Sequence, residues 1–410
     1  MRISIVPIVV AMLAASMSAP ARGVEATGDI ERSFFPYKEA AQVPEVPATL
    51  SQRNWQRAEG LLPAELVERV KTGELEIRTQ GTTDLPPSPA YVDATRRNAG
   101  KARLRPDGSL EGYVAGRPFP QINPADPQAG LKLAWNSRYH ESVDSAQAWG
   151  VFQVLDGTGR MVRDMEFYYA LAYGVHRLDA KANIWEGDGV LFKEFYQVLA
   201  PEDVKNQMRL KLRYDDDRTS DLNFAWIPET RKVRQVNVDP RERMMSSELL
   251  NEDFYGFWGY LHEYDWRFLE RATLLAPVAV KAAKATFEPR RGYPADPWEM
   301  RTMLLLEGTP KDPNHPYGKR VLFVDEQMGV PPYVFAYDRQ GKHYKTIFTL
   351  YGNPAFSPGN ERVRGPLWLG QTVINHATGD AAVTVMNRIV VDARVRNEFF
   401  TVGQFALLAR

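Results

Sequence analysis

Cysteine is absent from the 410 residues, and with it go disulfides, thiolate zinc sites, iron–sulfur clusters and cysteine nucleophiles. Net charge is absent as well: 51 Lys plus Arg balance 51 Asp plus Glu, so no overall field draws in nucleic acid. Histidine is scarce. The six, His140, His176, His262, His315, His343 and His376, are scattered, and none forms the His-Glu-x-x-His pair that sets two zinc ligands on one helical turn. Gly157-Thr-Gly159 and Gly187-Asp-Gly189 lack the third glycine of a dinucleotide loop and read as turns. No Gly-x-Ser-x-Gly elbow and no phosphate loop occurs. The linear sequence therefore predicts no enzyme, metal or cofactor, although Ser and His side chains that converge only in space would escape this reading. Long apolar runs are missing too. The run from Ile3 to Ala15 falls short of the ~20 residues of a spanning helix, and Leu274 to Ala285 is interrupted by Pro277 and Lys281.

What is present begins with Arg2, that apolar run and the small-residue site Ala19-Pro20-Ala21, which predict a secretory signal over residues 1–26. With no cysteine after the cleavage site, lipid anchoring is excluded. Residues 27–60, with Pro36, Pro44 and Pro47, predict an extended arm. Pro63 to Lys71 predicts a short amphipathic helix with Leu66, Val67 and Val70 inward, stopped by Gly73. A second helix is expected from Gln128 to Tyr139.

From about Val151 onward the signals are those of strands. Hairpins are expected around Asp156-Gly-Thr-Gly159, Pro228-Glu-Thr-Arg231 and Asp338-Arg-Gln-Gly341, and further strands at Trp298 to Leu306, Lys319 to Asp325, Trp368 to Asn375 and Ala381 to Val391. No β-α-β alternation appears, so the body is predicted to be a large antiparallel sheet, mainly β with helices. The ending Phe405-Ala-Leu-Leu-Ala-Arg410 counts against an outer-membrane barrel. Arg320 to Asp325 is apolar on both faces, and Tyr333 to Tyr337 places three aromatics on one face with Val334 and Ala336 on the other. Such strands are covered on both sides, by more chain or by an apolar guest. Asp215-Asp216-Asp217 between Arg213 and Arg218 reads as a solvated hairpin end. Asp253 to Trp266 holds seven aromatics, which fits a core loop, an aromatic lid over a cavity, or a wedge at a lipid surface. Gly256 and Gly259 are expected to let it flex.

Tyr113-Val-Ala-Gly-Arg-Pro-Phe-Pro120, Asp126-Pro-Gln-Ala-Gly130, Trp135-Asn136, Trp226 to Gln235, Asp253-Phe-Tyr-Gly256, Tyr264-Asp-Trp-Arg267, Arg320 to Asp325 and Tyr337 to Gly341 together resemble the family called domain of unknown function 1329. The resemblance spans roughly residues 50 to 405. It implies a secreted, periplasmic protein similar to the LolA and LolB carriers, which curl an antiparallel sheet into an incomplete barrel closed by helices around acyl chains. On that basis residues 61–410 are expected to form one large domain. The implied task is carriage of a lipid or other hydrophobic molecule, with a transporter of the resistance-nodulation-division type or an outer-membrane protein as partner. Expected cavity or lid residues are Trp226, Trp258, Trp266, Phe323, Tyr333, Phe335 and Phe348, each of which also reads as ordinary core. Arg231, Lys232 and Arg234 are candidates for an anionic headgroup, or else a solvated rim. Two rival tasks stay open, a transporter scaffold without a ligand and a glycan-binding or glycan-processing protein.

Overall fold

The computed structural model describes Ile30, Phe34, residues 46–178, Trp185, and residues 189–363, 365–391 and 397–408. The predicted signal (1–26) and most of the predicted arm lie outside the described residues. Thr49–Leu50 (β1) pairs with Ile77–Arg78 (β2), and Arg103–Leu104 (β3) with Leu110–Glu111 (β4). Thirteen strands make the body. The first group is Ser145–Leu155 (β5), Met161–Tyr173 (β6), Val190–Ala200 (β7), Met208–Tyr214 (β8), Leu222–Ile227 (β9) and Lys232–Val236 (β10). The second is Tyr264–Ala276 (β11), Glu299–Pro310 (β12), Lys319–Asp325 (β13), Tyr333–Tyr337 (β14), His343–Gly352 (β15), Leu367–Asn375 (β16) and Ala381–Val391 (β17). Each group is an up-and-down meander, because short turns suffice between antiparallel neighbours. The last strand, β17, returns beside β5 and fuses them into one sheet, so consecutive strands β10 and β11 stand at its two opposite edges.

The expected strands all appear, half of them with the bounds foreseen and the others shifted at one end or both. Three strands of the main sheet were not foreseen, β7, β8 and β11; in β8 the alternating charged residues resemble a solvated surface rather than an interior strand. Among the three main helices, Ala64–Thr72 (α1) starts after Pro63 and stops at Gly73, whose φ of 77° is left-handed. Pro89–Asn98 (α2) is capped by the Ser88 hydroxyl, which accepts from Tyr91 N–H. Ala129–Arg138 (α3) lies against β11 so closely that a Cβ on Gly130 would sit 2.5 Å from the Trp266 carbonyl oxygen. Among the described residues no helix is long and apolar enough to cross a membrane.

Side-chain alternation sorts the core into two faces. Met303, Leu305, Val321, Phe323, Tyr333, Phe335, Phe348 and Leu350 point to one side, where α1 and residues 275–298 cover them. Leu50 and Ala58 belong to that core, so residues 49–60, assigned by sequence to the arm, pack into the body. Leu304, Leu306, Leu322, Val324, Val334 and Ile347 point to the other side, against α3 and residues 249–264. The doubly apolar strands are thus covered by the chain itself on both faces. A third cluster, with Phe195, Leu210 and Trp226, packs beneath Phe400 and Phe405 behind β6–β9.

On the α1 side two histidine rings lie tilted against each other with centres 4.8 Å apart, and Thr346 Oγ1 lies 3.0 Å from His343 Nε2 and 2.8 Å from His376 Nε2. Burial pushes His343 down to about 4, with Arg69 acting in the same direction and Glu65 against it. The unfolded chain takes up this proton near the ordinary 6.5 and the folded chain does not, so between those values unfolding binds protons and stability falls as pH falls. Thermal melting at pH 7 and pH 5 should therefore show a larger loss for the wild type than for His343→Asn. Equal losses would mean that this histidine is not held neutral.

Candidate functional site

The segment joining β10 to β11 must travel from one edge of the sheet to the other. It contains three short 3-10 turns, Met244–Ser246, Asn251–Gly256 and Leu261–Glu263, and it carries the aromatic run singled out in the sequence. Its neighbouring residues Phe257 and Trp258 touch strands that are far apart along the sheet. The Arg320 guanidinium of β13 lies 4.8 Å from the Phe257 ring, while the Phe192 ring of β7 stacks on Trp258 at 5.4 Å. On a flat sheet β7 and β13 are seven strand spacings apart, about 34 Å. Two adjacent residues, with Cα atoms about 3.8 Å apart, reach both only because the sheet curls around them. The face holding this linker is the concave one.

Two buried arginines fix the linker from opposite walls. On β13, Arg320 is completely buried and bonds the Glu252 carboxylate, with Asp253 Oδ1 at 3.4 Å and the Tyr264 hydroxyl at 3.1 Å. Burial works against its charge, but Glu252 and then Tyr264 and Asp253 outweigh it and raise its pKa. Tyr317 donates to Asp253 at 2.7 Å, and Tyr264 donates to Glu252 at 2.8 Å beside His315. On β8, Arg213 donates to Asp221 at 2.5 and 2.9 Å and to the Trp258 carbonyl at 3.1 Å. Arg138 of α3 bonds the Gly259 carbonyl. Gly256, at φ +84°, is pressed so tightly that a Cβ would lie 2.6 Å from Pro331. The linker glycines thus serve close approach, and the expected flexing role gives way to a fixed one.

Beneath this linker the concave face keeps a cleft. Its interior holds about 110 Å³, and about 990 Å³ of atom-free space when the open mouth is counted. The floor crosses seven adjacent strands from β9 to β16, roughly 29 Å along the curved surface at the usual strand spacing. Phe152, Phe167, Met386 and Trp368 line the β5, β6, β17 and β16 part, and Met244, Phe254, Tyr255 and Trp258 form the roof. The other end is polar: Arg209, Lys211 and Arg213 alternate along β8, between Glu194 of β7 and Asp221 just before β9.

Lys211 Nζ lies 2.7 Å from Glu194, its cross-strand partner, and 3.9 Å from Asp221. Tyr169 donates to Glu194 at 2.7 Å. Burial raises the Asp221 carboxyl, but Arg213 and Lys211 prevail and hold it below the ordinary carboxylate range. Arg209 is half-buried and its charge is disfavoured by burial. Among the described residues no group of three or more His, Asp and Glu side chains is placed to hold a metal ion.

Of the residues expected at the cavity, Trp258 lines it. Phe323, Tyr333, Phe335 and Phe348 point the other way, into the α1-side core. Trp226 faces the third cluster behind β9, and Trp266 packs beside the linker, donating to the Leu261 carbonyl at 2.9 Å, without lining the cleft. Arg231, Lys232 and Arg234 sit exposed on the β9–β10 hairpin, and none lines the cleft. The cations that do are Arg209, Lys211 and Arg213, which sequence reasoning missed. Their signal was the alternation Arg209-Leu-Lys-Leu-Arg213, which ordinarily marks a strand with one face in water. The acidic run 215–217 is a solvated end only in part, at the exposed Asp216. Asp217 is buried, accepting from His262 N–H at 3.0 Å and lying 3.8 Å from Arg138, and Asp215 accepts from Tyr139 at 3.0 Å.

The sequence matches the family described as Protein of unknown function (DUF1329) over residues 49–398, and the chain belongs to that family. No curated protein matches it. Similar solved structures include a domain described as an outer membrane lipoprotein-sorting protein domain from Vibrio parahaemolyticus, 17% identical, covering 68% of this chain and 100% of that one at a TM-score of 0.48. A DUF1329 family protein from Desulfovibrio piger is 16% identical with the same coverages and TM-score. A LolA superfamily protein from Nitrosomonas europaea is 12% identical, covering 65% of this chain and 94% of that one at 0.41.

Replacing Arg320 by Met strands Glu252 and Asp253 without their cation, and removing one partner of a buried pair costs about 3–5 kcal/mol. Urea unfolding should show a loss of that size for Arg320→Met, and part of it should return in Arg320→Met/Glu252→Gln. A loss within experimental error would show that the linker is held by its aromatic contacts instead.

Proposed function

From its place in the DUF1329 family and the cleft under its linker, we propose that this protein is a periplasmic carrier that shelters a lipid or acyl-bearing molecule on the concave face of its sheet. The observation that carries the reading is the cleft itself. A gap among aromatic side chains forfeits dispersion contacts unless something fills it. Its interior, about 110 Å³, is smaller than common small-molecule sites at about 300–1,000 Å³, so a guest must run out through the open mouth or lift the linker. The wall and roof supply the apolar surface, and each methylene buried there is worth about 0.8 kcal/mol. Binding is then the easy step. Release needs a second site or a movement of the linker, which suits delivery to another envelope component such as a transporter or an outer-membrane protein. The signal expected at residues 1–26 supports a periplasmic location.

Glycan hydrolysis fits the cleft poorly. Its two carboxylates are neutralised by Lys211 and Arg213, and Asp221 is held below the usual range, whereas a general acid needs a raised pKa.

Protein purified from periplasm without detergent should carry co-purifying lipid in native mass spectrometry and in organic extracts. Met386→Trp, which fills the apolar end, should keep the wild-type circular dichroism and lose most of that lipid. Wild-type protein free of lipid and unable to take up a fluorescent fatty acid would end the carrier reading.

A further inference from the structure

The cleft is graded. Its β16, β17, β5 and β6 part is apolar, and its β7–β9 part gathers three cations against two acids, Glu194 and Asp221. Arg213 is consumed by Asp221, and Lys211 by Glu194 with Asp221 beyond. Arg209 is left over: among the described residues it forms no hydrogen bond or ion pair, and the acids that influence it, Glu194, Asp221 and the exposed Glu242, do so at a distance. Several neighbouring groups are buried and unpartnered as well. Among the described residues, the Trp258 and Trp368 indole N–H groups, the Tyr196 and Thr384 hydroxyls and Arg213 Nη1 have no acceptor. All five belong to residues that line the cleft, against one unpartnered acceptor there, Asn223 Oδ1. A buried polar group without a partner costs about 1–3 kcal/mol, and native proteins leave few of them. A wall with this surplus of donors and one excess positive charge is complementary to acceptor oxygens that carry negative charge.

Resting on the carrier reading, we infer that the ligand is a single-chain amphiphile with an anionic head, its carboxylate or phosphate oxygens at Arg209 and its tail along Phe167, Phe152 and Met386 toward Trp368. The arrangement gives the guest a direction. Arg209 supplies a planar fork of donors that a carboxylate or a phosphate accepts two at a time. Lys211 and Arg213 keep Glu194 and Asp221 from repelling it. The exposed cations of the β9–β10 hairpin have no part in this recognition.

Titration of the mature chain with dodecanoate, dodecyl phosphate, dodecanol and dodecyltrimethylammonium, each below its micelle concentration, tests the inference. The anions should bind about tenfold or more tighter than the alcohol, the difference a charge-assisted hydrogen bond confers, and the cation weakest. A preference for the carboxylate points to free fatty acids, and a preference for the phosphate to phospholipid-derived heads; either supports the inference. Arg209→Met should bring anion affinity down to that of the alcohol, while the same charge removal at the rim, Arg234→Gln, should leave the anion preference intact. Equal binding of anion and alcohol, or loss of the preference with Arg234→Gln in place of Arg209→Met, overturns the inference and leaves the carrier reading standing. If none of the four binds, both fall together. Dodecanoate brominated at its terminal carbon should quench tryptophan fluorescence less in Trp368→Phe than in wild type, and unchanged quenching overturns the proposed direction of the tail.

Discussion

The ion pair between Arg320 and Glu252, made where neither can meet water, is the interaction on which the rest of the concave side depends. It anchors a covalent strap at Glu252, and Arg213 on β8 holds the same strap a little further along, at Trp258. A thirteen-stranded sheet with free edges has many curvatures open to it. A strap that starts at one edge, ends at the other and is pinned at both walls leaves few. The charges are costly to bury, and each is satisfied by more than one partner. Arg320 has two carboxylates, a hydroxyl and three rings around it, Phe257, Tyr264 and Tyr317. Such a network confers less net stability than its number of bonds suggests, but it allows few alternative placements of the linker.

The strap also accounts for the cleft. It carries large rings that need surface to rest on, and on the β11–β15 wall they find Leu306, Leu322 and Val334. On the β7–β9 wall, apart from Phe192 stacked on Trp258, they meet charged side chains, whose paired groups resist close apolar packing. The space is left where these two kinds of wall meet. One end of it is a surface that water or a polar group would satisfy, and the other end excludes water. This division follows from the sheet being one continuous surface with a different composition in each meander.

Much of the architecture was legible because turn residues and alternation are local signals. The hairpins at Asp156 to Gly159, Pro228 to Arg231 and Asp338 to Gly341, the helix after Pro63 and the strands from Trp298 onward could be placed from neighbouring residues alone. The motif residues Asp253, Tyr264 and Arg320, quoted as family markers, turn out to be members of one buried network. Their separation in sequence, from 253 to 320, concealed that meeting. The aromatic linker was recognised as unusual, and its roles as core and as roof are both realised. None of its residues is among the large apolar side chains left exposed, as a lipid wedge would require.

By itself the sequence determined the family, the predominance of antiparallel strands and the absence of thiol chemistry, since each of these is written in composition or short-range pattern. It could not determine which face of a strand is the inside. Alternation of period two defines two faces without naming either. Where both faces are apolar, as in β13 and β14, the aromatic side was the natural choice for a cavity and is in fact the opposite core. Where one face is charged, as in β8, water was the natural neighbour, and the fold turns that face inward. Only the path of the chain between the two edges of the sheet decided both, because a face becomes an interior when another segment crosses over it.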